Sequence, residues 1–156
     1  MRNVLKAASV SVATILAAST APALIAISYM PALAQSTDST LRADLPSGQF
    51  VGADRAHQAD GSARIVPLKG GGFGVKFEAD FEVTGGPDLR VWISEAANPR
   101  SKSDVRAAGY IDLGRLQSSD GKQIYRLPEG FDLADANSVV IWCRLFGVFF
   151  GAAPLA

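Results

Sequence analysis

The chain has little of the chemistry that small enzymes and metalloproteins rely on: one cysteine, Cys143, one histidine, His57, and no run of lysine or arginine. A single cysteine excludes an internal disulfide, a Cys-x-x-Cys redox pair and the Cys-x-x-Cys-His attachment of covalent haem. A blue-copper centre needs two histidines beside its cysteine, so one chain cannot build it. A triad hydrolase would need His57 as base, and no Gly-x-Ser-x-Gly elbow supplies a nucleophile. Lysine plus arginine equals aspartate plus glutamate, 15 of each. Without a basic patch, nucleic acid is not an expected partner, because affinity for phosphate backbones rests on clustered positive charge. No phosphate-binding glycine loop joins a strand to a helix, and Gly70-Gly71-Gly72 reads as a hairpin turn. No Asn-x-Ser/Thr acceptor for glycosylation is present.

What is present begins with the N-terminus. Arg2 and Lys6 form a short positive region, and Ala7 to Ala34 carries no charge. The stretch ends Met30-Pro31-Ala32-Leu33-Ala34, with small residues at the −3 and −1 positions of a cut before Gln35. That is the layout of a secretory signal peptide over residues 1–34. The alternative is an uncleaved anchor, since a span needs roughly 20 apolar residues. The small-residue site and the polar stretch from Gln35 to Thr40 favour cleavage. The expected location is therefore exported, periplasmic or secreted, with membrane contact only if the segment stays uncleaved. Residues 35–47 read as a flexible leader and 48–156 as a single domain.

That domain is expected to be all-β. Short apolar runs alternate with Gly, Pro and Asp, and no helical stripe exceeds about two turns. The pattern suggests a β-sandwich or flattened barrel of about eight short, mostly antiparallel strands. Gly74–Val83 is the clearest strand, with Val75, Phe77, Ala79, Phe81 and Val83 alternating with Lys76, Glu78, Asp80 and Glu82. Further strands are expected at 49–53, 62–68, 89–94, 110–113, 123–127 and 139–150, and short helices at 103–108 and 133–137. The last strand is apolar on both faces, as in a central strand covered on both sides, with Gly147 bending or bulging it. Pro67 belongs at a strand end or sheet edge.

Four places carry candidate chemistry. Glu78, Asp80 and Glu82 on one strand face could hold a hard cation, but a solvated sheet face is the favoured reading, and no metal site is assigned. Asp88, after Gly85-Gly86-Pro87, reads as a turn lock and, with less weight, as a ligand-binding residue. His57 reads as a loop polar group that could also shuttle a proton. Cys143 reads on residue chemistry alone as a packed core thiol, with a redox role as the competing reading.

The order of the motifs resembles the DM13 domain, a family of extracytoplasmic β-rich modules. The matching blocks are Gly48-Gln-Phe-Val-Gly52 leading to His57 and Gly61–Ile65, then Phe77–Phe81 with Gly86-Pro-Asp-Leu-Arg-Val-Trp-Ile-Ser94. Tyr110–Leu116 with Gly121–Pro128 follows, and Ser138–Phe146 runs on into Val148–Ala153 and Leu155. The resemblance implies a role in electron transfer, with Cys143 as the redox centre and His57 and Asp88 as matching positions without an assigned role. Members occur beside haem-binding modules and membrane cytochromes in larger chains. Here no such module is fused, so the resemblance implies a partner on a separate chain, a haem or redox protein. No cofactor is evident, and haem or copper reached through a partner stays open. The expected function is an exported redox or electron-transfer accessory rather than a stand-alone enzyme. The alternative is a non-enzymatic ligand-binding or protein-interaction domain in which Cys143 is structural.

Overall fold

The computed structural model describes residues 45–156. The expected signal segment 1–34 and most of the leader lie outside the described residues. Eleven strands appear in chain order: β1 (Ser47–Gln49), β2 (Val51–Gly52), β3 (Ala59–Asp60), β4 (Ser62–Pro67), β5 (Phe73–Phe77), β6 (Glu82–Val83), β7 (Leu89–Ser94), β8 (Tyr110–Arg115), β9 (Gln123–Arg126), β10 (Ser138–Cys143) and β11 (Val148–Pro154). Helix α1 (Lys102–Ala107) lies between β7 and β8, and a single 3-10 turn covers Leu133–Asp135. A four-stranded sheet in the order β1-β4-β5-β9 accompanies a five-stranded sheet in the order β2-β11-β10-β7-β8, with β3 and β6 as a small third pair. All the pairings are antiparallel. The architecture is an all-β sandwich without a closed barrel. Among the described residues no helix is long and apolar enough to cross a membrane.

Alternation places the core. Ala63, Ile65, Val75, Phe77 and Tyr125 of the smaller sheet pack with Val91, Ile93, Val139, Ile141 and Cys143 of the larger one. The opposite face of the larger sheet is also covered: Trp92, Val140, Trp142, Phe149 and Ala152 form a second cluster with Val105 of α1. Strand β10 therefore has all six residues buried, as the apolar run from Val139 to Cys143 requires. Ser101 caps α1, its hydroxyl accepting from the Asp104 amide at 3.4 Å. Thr37–Ala156 forms one compact unit and both apolar clusters lie inside it, so this part of the chain closes its own core.

Three expected strands are corrected, the first being 49–53, which divides at Phe50 between β1 of the smaller sheet and β2 of the larger one. Gly74–Val83 is not one strand: β5 ends at Phe77, the chain turns through Glu78–Asp80, and β6 starts at Glu82. The cause is Asp80, whose carboxylate accepts from the Ser62 hydroxyl at 2.6 Å and the Ser62 amide at 3.2 Å and closes the turn. Ala79 turns out to solvent while Phe77 and Phe81 stack in the core, ring centroids 4.4 Å apart. The three carboxylates are thus not one strand face. Glu78 pairs with Arg64 and Lys76, Asp80 holds its turn, and Glu82 sits on β6.

Val139–Phe150 is likewise a hairpin rather than a single strand, with Arg144–Gly147 as its turn. Gly147 takes a φ of +60°, the left-handed conformation that glycine adopts without a Cβ penalty. The bulge sits elsewhere, where the β10–β11 register shifts between Ile141 and Trp142. Pro67 ends β4, as a residue without an amide proton must at this position.

Phe77 is fully buried and touches the rings of Phe50, Phe81 and Tyr125. Phe77→Ala is expected to cost about 3–5 kcal/mol in equilibrium urea unfolding. Phe146→Ala, on the exposed hairpin turn, should stay within about 0.5 kcal/mol of the parent. Similar losses for the two would contradict this placement of the core.

Candidate functional site

Cys143 is the last residue of β10, opposite Leu89 on β7 and Val148 on β11. Alternation turns its side chain into the inter-sheet core, where it is 1% exposed, while its neighbour Trp142 faces the second cluster on the other side. The thiol is free. The best-formed surface hollows, about 230 to 540 Å³, are lined by other residues. A small molecule therefore does not reach the sulfur in this conformation.

Asp88 is tied directly to the residue after the cysteine. The Arg144 amide donates to the Asp88 carbonyl at 2.9 Å. The Asp88 carboxylate accepts from Arg144 Nε at 2.7 Å and from Arg90 Nε at 3.1 Å. Partial burial works to raise the carboxyl pKa, but the two guanidiniums outweigh it and hold the group below its ordinary value of 3.8. Asp88 thus fastens the Gly85–Asp88 turn to the base of the β10–β11 hairpin, one residue beyond Cys143. Gly86 allows the turn to sit close, since a Cβ there would lie 2.7 Å from Leu89 Cδ2 and 3.1 Å from Phe150 Cζ.

His57 lies in the β2–β3 loop. Asp54 shapes that loop by accepting from the amides of Ala56 at 2.7 Å and His57 at 2.9 Å, and its carboxylate meets His57 Nδ1 at 3.0 Å. These bonds, led by the one to the imidazole, lower the Asp54 pKa. With Nδ1 donating, Nε2 is the free acceptor. The imidazole packs edge-on against Phe150, centroids 4.7 Å apart. The structure therefore brings Asp88 to the backbone of Arg144, the residue after Cys143, and places His57 against Phe150. Among the described residues no hydrogen bond joins the imidazole to the sulfur, and no three His, Cys, Asp or Glu groups converge as metal ligands.

Sequence reasoning missed the aromatic stack behind Cys143. Trp92 lies between Tyr110, 4.1 Å away and near parallel, and Trp142, 4.6 Å away, and Arg106 sits 5.6 Å from the Trp142 ring. The signal was available in part, because both tryptophans belong to long apolar strands. Their antiparallel register was not.

The Asp88 clamp gives a pH dependence of known sign. A folded pKa below the unfolded one means that the ion pairs contribute fully above the unfolded value and are lost as pH falls through the folded one. Asp88→Asn should lower the urea midpoint at neutral pH, and the gap to the parent should close below about pH 4. A gap that is constant with pH would show that the clamp is not ionic.

The family model described as "Electron transfer DM13" matches residues 49–155. No curated protein and no solved structure matches the chain. The matched span runs from β1 to the end of β11 and contains His57, Asp88 and Cys143. The chain belongs to the DM13 family, and with it to a redox or electron-transfer related class of function.

Proposed function

We propose that this protein is an exported electron-transfer accessory whose redox group is Cys143 and whose partner is a separate redox protein. The observation that carries this reading is the position of Cys143. It is the final residue of a central strand, and beyond it lies a four-residue turn with Leu145 and Phe146 64% and 67% exposed. The sulfur is covered, but its residue stands at the end of the hairpin strand and not in its middle. Local opening of such an end costs less than global unfolding. The N-terminal segment supports export, and an oxidising compartment gives a lone thiol something to react with.

A lone thiol needs a second sulfur from outside. The Cys143 thiolate attacks a partner disulfide, one sulfur bonds to Cys143, and the other leaves as a partner thiolate that takes up the proton. Two electrons pass on when a thiolate of a dithiol donor attacks the Cys143 sulfur of that bond and releases the first partner as a dithiol; the donor's second thiolate then attacks its own sulfur, which releases Cys143 and closes the donor disulfide. His57 has the weaker claim on proton movement, because its Nδ1 is held by Asp54 and its ring rests on Phe150.

The second reading, a non-enzymatic interaction domain with a structural cysteine, draws on the 1% exposure of Cys143. Thiol labelling under native conditions separates the two. The redox reading expects labelling through local opening, with a rate that depends only weakly on denaturant at low concentration. Labelling that follows global unfolding, with the full denaturant dependence, would sink the redox role and leave Cys143 as a packed core thiol.

A further inference from the structure

Leu145 and Phe146 are the most exposed of the described large apolar side chains, at 64% and 67%. They stand at the apex of the β10–β11 hairpin and point away from both cores. Two cations of α1 lie beside them: a Cβ on Gly147 would be 3.6 Å from Lys102 Nζ and 3.7 Å from Arg106 Nη2. Neither cation is paired with a carboxylate among the described residues, and Arg106 leans on Trp142. Arg144, 59% exposed, adds a third guanidinium at the base of the turn. The nearby carboxylate, Asp88, is already neutralised between Arg144 and Arg90. A positive collar around an apolar apex is not a by-product of bulk charge, because the whole chain carries none in excess.

We infer that this tip docks on a membrane surface bearing anionic phospholipid. Leu145 and Phe146 enter the boundary between headgroups and acyl chains, and Lys102, Arg106 and Arg144 meet the phosphates. The shape favours lipid over a protein site. The apex is convex and narrow, while a specific protein interface needs about 800 Å² of matched surface per partner. A fluid interface conforms to a small protrusion without such matching. Docking in this orientation holds the Cys143 end of the sandwich toward the bilayer. The inference stands apart from the redox reading, since it needs no reactivity at the sulfur.

The test uses Thr37–Ala156, the unit that contains both apolar clusters, and sedimentation with vesicles of phosphatidylcholine alone or mixed with phosphatidylglycerol. Each cation at an anionic surface is worth about 1 kcal/mol, or about fivefold in partitioning. Binding to the mixed vesicles should therefore exceed binding to phosphatidylcholine by at least ~10-fold and fall in high salt. Lys102→Gln with Arg106→Gln should lose about 25-fold, and Phe146→Asp or Leu145→Asp about 10-fold or more. Ile124→Asp, on the edge strand β9, should change nothing. Cys143→Ser should bind like the parent, so failure of the redox reading would leave this result intact. Absent binding, equal binding to both vesicles, or indifference to Phe146→Asp and Leu145→Asp would overturn the inference. Protection of the tip by an acidic soluble protein without vesicle binding would also overturn it, in favour of a protein partner.

Discussion

Everything in this domain is arranged around the burial of β10 on both faces. Six consecutive residues with no exposed face need a neighbour on each side and a layer above and below. Strands β7 and β11 supply the neighbours. The smaller sheet supplies one layer, and Val105 of α1 with Ala53 of the β2–β3 loop supplies part of the other. Strict alternation then sends Val139, Ile141 and Cys143 inward and Val140 and Trp142 outward. Slipping the register by one residue would exchange the indole and the thiol between layers, which neither layer has the volume to accept. The placement of Cys143 is thus a consequence of packing before it is a consequence of chemistry.

The outer layer carries an unusual cost. Trp92 Nε1 is buried without a hydrogen-bond partner among the protein groups, a loss of roughly 1–3 kcal/mol. Its ring lies between Tyr110 and Trp142, and two such aromatic contacts return about 0.5–1.5 kcal/mol each beyond their buried area. The two effects are of similar size, so the stack is tolerated and gains stability mainly from the apolar area that it covers. It also covers the outer face beside β10, whereas the hairpin turn leaves Leu145 and Phe146 exposed.

Much of this was legible in the sequence, and the failures share one cause. The all-β class, the two-sided cover of the last apolar run and the short helix near Val105 follow from periodicity and punctuation. The break after Phe77 does not, because Val75 to Val83 keeps perfect alternation through a turn. What breaks it is Asp80 reaching Ser62, 18 residues away in sequence. The split of Val139–Phe150 has the same character. Gly147 is visible, but bend, bulge and hairpin closure differ only in what the following residues pair with, and that pairing is long-range. Sequence logic expected Asp88 to lock its own turn by accepting from nearby backbone amides. Its true partners, Arg90 and Arg144, lie two residues away on β7 and across the sheet in the hairpin turn, and only the second connects it to the cysteine.

The Asp88 clamp also decides how the hairpin end can move. Opening the turn without breaking the clamp would have to pivot beyond Arg144, around Leu145–Gly147, and that leaves Cys143 covered. Moving Arg144 away from the start of β7 breaks two bonds, its amide from the Asp88 carbonyl and its guanidinium from the Asp88 carboxylate. Both bonds therefore hold the end of β10 against the start of β7. A surface that competes for the Arg144 guanidinium with its own phosphates would weaken the second bond and not the first. Contact at the tip and the hold of Asp88 on the strand end thus share one arginine. Arg144, the residue after Cys143, is thus the latch on the strand end.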